Sequence, residues 1–288
     1  MVSLQNNCMF TFVENSRLKL YDIEDKKRIK YSMKLDFTTR KYKDFLIYLK
    51  NSNIPVFTIK DWITKQPKNG IILRHDVDRN PNQSVKIAEI ASELNIKGTF
   101  NFRVLKNKLE ERYITKISNL GHEIGYHYED LSIVEGNIDQ AIELFNKNLG
   151  LLRKIVKVDT ATMHGSPLSS FDNRDIWKHV TTSQFNLLGE AYITIDYTNL
   201  YYLTDTGRTW AETSANLRDN VMSSKRTPDY IKSTDDIINF IGSNKNASIA
   251  MVFHPERWSQ NYFHFFFQAI LDFIISQIKR ILRLLRRF

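Results

Sequence analysis

Acidic and imidazole side chains gather where apolar runs end. GIILRHDVD (70 to 78) turns polar at Arg74, His75, Asp76 and Asp78. GHEIGYHYED (121 to 130) carries His127 with Glu129 and Asp130, VDTATMH (158 to 164) ends on His164, and ASIAMVFHPERW (247 to 258) carries His254 and Glu256. Carboxylate plus imidazole is the ligand mixture of zinc and other borderline divalent metals, with an open position left for water. Such an ion lowers the pKa of its water from about 16 towards roughly 7 to 9, which makes metal-activated hydrolysis the leading chemistry. Singly, each residue has a structural use: an aspartate caps a turn, a histidine fills a hydrogen-bonded core position. Four runs ending alike point to one shared site.

The surrounding pattern says what must position these residues. Helix-period and strand-like stretches alternate from about residue 40: a helix at 42–50, a short strand at 55–59, the strand 70–78, and a helix with Ile87, Ile90, Ala91 and Leu94 on one face. The strand 98–104 follows, then a helix within 106–120, the strand entered through 121–127, and a helix marked by Ile138, Ala141, Ile142, Phe145 and Leu152. Next come the strand 158–164, irregular tyrosine-rich segments around 191–203, a helix within 230–241 and the strand 247–254. This order predicts an α/β protein with a mostly parallel sheet, for which a barrel suits the chain length. In such folds the C-terminal strand ends converge on one mouth.

LRHDVD, GHEIGYHYEDLS, TMHGSP and VFHPERW, in that order, resemble the divergent polysaccharide deacetylase superfamily, the carbohydrate esterase family 4 and chitooligosaccharide deacetylase group, over roughly residues 35 to 258. The resemblance implies a distorted (β/α) barrel of about seven parallel strands, a metal held by an aspartate and two histidines, and removal of acetyl groups from N-acetylated sugars. It aligns Asp76 with the general base and moves the ligand role to Asp78, which strand alternation puts on the same face. His127 matches the first histidine ligand. Leu131 stands where the second is usual, so His164, with Glu129 behind it, is the candidate third ligand. His254 matches the histidine that protonates the leaving amine. HGSP stands near the place of the arginine-containing third motif. Arg74 and Arg257, with Arg174, are candidates to bind an anionic group of the glycan. Trp258, Trp210, Tyr126 and Tyr128 offer flat faces to sugar rings or pack in the core.

Two other readings stand beside this one. Asp76-Val77-Asp78 also satisfies the D-x-D pattern with which glycosyltransferases hold a metal against a sugar nucleotide, although no glycine-rich phosphate loop accompanies it. A catalytically inactive deacetylase-like binding protein would account for Leu131.

The 288 residues are 42% hydrophobic and 25% charged, which excludes disorder, and 41 basic against 32 acidic side chains leave +9. That charge favours an anionic partner, yet no nucleic-acid recognition motif accompanies it. Cys8 is the lone cysteine, so an intrachain disulfide is excluded and a reducing compartment is the default. The opening twenty residues lack a basic head, a long apolar run and a small-residue cleavage site, so a cytoplasmic location is expected. The expected divisions are an N-terminal extension (1–35), the barrel (36–258) and a basic amphipathic helix (259–288).

In that helix Phe267, Ile270, Ile274, Ile278, Ile281 and Leu285 form one stripe, and Gln268, Asp272, Ser276, Lys279, Arg283 and Arg287 another. Asp272 interrupts the run before the ~20 apolar residues a bilayer crossing needs. Two expectations follow: the helix packs its apolar face on the barrel, or it docks on an anionic membrane through Lys279, Arg280, Arg283, Arg286 and Arg287, peripheral to the inner face.

Overall fold

The computed structural model describes residues 35–106, 109–211 and 221–285. The extension expected over 1–35 therefore lies almost wholly outside the described residues.

Helix α1 (Thr39–Asn51) starts where Thr38 accepts a hydrogen bond from the Lys41 amide. Strand β1 (Val56–Phe57) leads into α2 (Ile59–Lys65), capped in the same way by Thr58. Strand β2 (Gly70–Val77), α3 (Pro81–Glu93), β3 (Thr99–Phe102), α4 (Glu111–Asn119) and β4 (Glu123–Tyr128) then alternate. The short α5 (Asp130–Ile133) precedes α6 (Ile138–Arg153), β5 (Thr160–Met163), β6 (Gly189–Glu190), α7 (Ala191–Thr194) and β7 (Leu200–Thr204). The chain closes with α8 (Thr234–Ser243), β8 (Ser248–Phe253) and α9 (Tyr262–Leu285).

Seven strands pair in parallel in the order β6-β5-β4-β3-β2-β8-β7, and β1 adds to the start of β2. The sheet curls into a half-barrel surrounded by helices, a distorted (β/α) barrel. Two expectations needed correction. The residues around 191–203 hold α7 and the strand LYYLT, not irregular chain, and a helical turn, α2, follows β1 directly.

Alternation along the strands decides which chemistry faces inward. On β2, Ile72, Arg74 and Asp76 turn to the interior, while Ile71, Leu73 and His75 turn to the helical layer. His75 stacks on Phe100 at 4.2 Å, meets the Tyr42 hydroxyl and is pushed down to about 3 by burial, so it is a neutral core residue. Leu131 is buried in that layer too.

Helix α9 reverses the usual arrangement. Gln268 and Asp272 are buried against the body beside the helical turn Pro255–Arg257, whereas Phe266, Phe267, Ile270, Phe273, Ile274 and Ile278 are exposed. The helix packs, but not through its apolar stripe. Among the described residues no helix is long and apolar enough to cross a membrane.

Candidate metal and acid-base site

Parallel strands deliver their C-terminal ends to one mouth, where Asp78 is the meeting point. His127 Nε2 lies 3.2 Å and His164 Nε2 3.8 Å from Asp78 Oδ1, and His254 Nε2 lies 3.9 Å from Oδ2. One donor atom from each of Asp78, His127 and His164 falls within 4.8 Å of the others. Asp78 Oδ1 is buried with no hydrogen-bond partner of good geometry. Although burial opposes ionisation, His164, His127 and His254 hold this carboxyl well below the ordinary range.

The other imidazole nitrogens are fixed. His127 Nδ1 donates to the Thr162 carbonyl at 3.0 Å, and His164 Nδ1 donates to Glu129 Oε2 at 2.8 Å, with the Ser166 hydroxyl and Arg103 also on that carboxylate. Each Nδ1 is held by an acceptor oxygen, which turns each Nε2 towards Asp78. A borderline divalent ion is held by this kind of donor set: imidazole nitrogens oriented from behind, which bind it in their neutral form, and an anionic carboxylate oxygen. The residues fit such an ion.

Asp76 stands under different conditions. Arg74 donates to it twice, at 2.9 and 2.6 Å, and Asn101, its register neighbour on β3, donates at 2.9 Å. Burial works against its charge, but Arg74 and His127 hold the carboxyl far below the ordinary range. An ionised carboxylate offers about four acceptor positions. Three are used here, and Oδ2 stands 3.8 Å from His127 Nε2.

His254 faces Asp78 from β8 and is anchored by a residue the sequence did not reveal. Asp205, following β7 and fully buried, accepts from His254 Nδ1 at 2.6 Å and from the His254 amide at 2.9 Å. Arg257 and the Trp258 indole donate to the same carboxylate at 2.9 and 2.7 Å. Burial and Arg257 disfavour the imidazolium, yet Asp205 and Asp78 keep the His254 pKa above its ordinary value. Asp205 escaped notice because LYYLT does not read as a strand, so its end was not counted among the others. Asn101 and Arg103 were missed for another reason: they follow the same alternation on and after β3, but as neutral or basic residues they carry no ligand signal.

The expected substrate contacts are placed otherwise. Arg74 is buried in its pair with Asp76 and reaches the Tyr192 hydroxyl at 3.0 Å. Arg257 is committed to Asp205, and Trp258 packs on Phe37, Tyr42 and Phe253 with 1% of its surface exposed. Trp210, Tyr126 and Tyr128 are core residues as well. Arg174 pairs with Asp172 at 2.7 Å. Glu256 is buried beside the mouth with neither carboxylate oxygen hydrogen-bonded, and burial together with Asp78 pushes its pKa up.

No family model and no curated protein match the sequence. Among solved structures, the chain is similar to a CE4 family pseudoenzyme from Bacillus anthracis (15% identity over 74% of this chain and 61% of that chain, TM-score 0.40). It is similar to a Streptococcus mutans CE4 esterase (14%, covering 67% and 89%, TM-score 0.39) and to the peptidoglycan deacetylase PdaC from Bacillus subtilis (11%, covering 77% and 98%, TM-score 0.36). The chain spans less than two thirds of the pseudoenzyme's length.

Proposed function

We propose that this chain is a metal-dependent hydrolase that removes an N-acyl group from an amino-sugar glycan, with Asp78, His127 and His164 holding the ion. The observation that carries the reading is the pair of back-anchored imidazoles converging on the Asp78 carboxylate. Zinc is the proposed metal, because two imidazoles and one carboxylate are a common zinc donor set. When bound, such an ion supplies a Lewis acid that polarises an acyl carbonyl and makes water a stronger acid.

The chain's own residues take the proton steps. Asp76 is the proposed base, acting through the acceptor position its three hydrogen bonds leave; its low pKa makes it a weak base that releases the proton readily. His254 is the proposed acid: Asp205 fixes its Nδ1, so Nε2 is the atom that hands a proton to the departing nitrogen. Arg74 and Asn101 orient Asp76.

The test is metal analysis joined to acetate release from N-acetylglucosamine oligomers. Near-stoichiometric zinc or cobalt, lost in His127→Ala and His164→Ala together with acetate release, is the expected result. Metal-free protein that stays inactive with added zinc, cobalt or nickel would leave a binding module on this fold.

A further inference from the structure

An amphipathic helix on a protein normally buries its apolar stripe, since that is where the hydrophobic gain lies. Helix α9 does the opposite because of what the body offers it. Asp272, 4% exposed, faces Arg79, Arg208 and Arg257, each 3.9 Å from one of its oxygens, and Gln268 lies one turn before it on the same side. This ionic seat turns Phe266, Phe267, Ile270, Phe273, Ile274 and Ile278 outward as one contiguous stripe. Patches of that kind mark an interaction surface.

Charge selects the occupant. From 273 to 288 there is no acidic residue, while Lys279, Arg280, Arg283, Arg286 and Arg287 are basic. By helical spacing, Lys279 and Arg283 continue the stripe of Gln268 and Asp272. An apolar face with cations on the opposite, polar face, 24 residues long but not apolar enough to span a bilayer, is the make-up of a helix lying in a lipid interface. We propose that α9 seats the protein on an anionic lipid surface, in the plane of the headgroups with its apolar stripe in the acyl boundary. Arg257 links this seat to Asp205 and thereby to His254, so the surface runs beside the rim of the candidate site.

Co-sedimentation of the full chain with vesicles tests this, using phosphatidylcholine alone and phosphatidylcholine mixed with phosphatidylglycerol. Each cation at an anionic surface strengthens partitioning about fivefold, so the mixed vesicles should bind at least tenfold more tightly, and the preference should fall with added salt. The triple variant Phe267→Ser, Ile270→Ser, Ile274→Ser alters only exposed positions and should lose at least tenfold of that binding with its circular dichroism spectrum unchanged. A second variant, with Arg283, Arg286 and Arg287 each changed to Gln, should lose the lipid preference. Failure to bind mixed vesicles, equal binding by the triple variant, or a dimer in light scattering that the triple variant dissolves would each overturn the proposal, the last by assigning the face to a second copy. None of these outcomes depends on hydrolase activity.

Discussion

Asp76 and Asp78 lie two residues apart at the end of one strand, yet the buried Arg74 pairs with Asp76 whereas histidines face Asp78. Asp76 and Arg74 form a buried ion pair, and removing one member of such a pair typically costs about 3–5 kcal/mol. Asp76→Asn should therefore lose stability of that order in denaturant titration, and about 10²- to 10⁴-fold in turnover, while still binding metal. Asp78→Asn should abolish metal binding, because it removes the one anionic oxygen of the donor set. For His254 the decisive neighbour is Asp205. Asp205→Asn weakens the interaction that keeps His254 protonated, so the alkaline limb of the pH-rate profile should move to lower pH. A shared site at these strand ends was legible from their polar residues, and the choice of Asp78, His127 and His164 came from the family resemblance. The commitment of Arg74 and Arg257 to internal carboxylates was not, since an arginine beside an active residue reads alike whether it faces a ligand or an acid.

Two elements hold the site through contacts that sequence periodicity does not disclose. On β4, Gly125 lets Asn101 reach Asp76: a Cβ there would stand 2.1 Å from Asn101 Oδ1. Gly125→Ala should displace Asn101, costing about 1–3 kcal/mol of stability and on the order of 10²-fold in turnover. At the start of α5, Asp130 accepts from the Tyr126 hydroxyl and from Asn148 of α6, and burial raises its pKa to about 7. A carboxyl whose folded pKa lies above its unfolded value favours folding at low pH, and that contribution disappears as pH climbs through about 7. Stability should fall by about 3 kcal/mol between about pH 5 and pH 8 from this group, and Asp130→Asn should flatten the slope in thermal melts. Long elements such as α1, α3 and α6 were evident from their apolar faces. Segments α7 and β7 were not, because the alternation that marks a half-buried strand is blurred by the tyrosines of LYYLT.

At the scale of the molecule, a parallel half-barrel collects one site from β2, β4, β5 and β8, so binding at the mouth should be felt by the whole fold. Zinc at about a hundredfold over its dissociation constant should stabilise the protein by about 2.7 kcal/mol, and His127→Ala should abolish the shift in its melting temperature. The parallel sheet and the mouth followed from the alternation of strands and helices. The orientation of α9 did not, because hydropathy reports an apolar stripe without saying whether Asp272 finds three arginines waiting. The two-residue rhythm of β2 has a further consequence for how this chain tolerates change. Deleting one residue between 70 and 73 would reverse the phase of everything after it, delivering His75 and Val77 to the interior and expelling Arg74, Asp76 and Asp78 into the helical layer. Substitutions along that strand are local events, whereas a shift of frame by one would erase the candidate chemistry at a stroke.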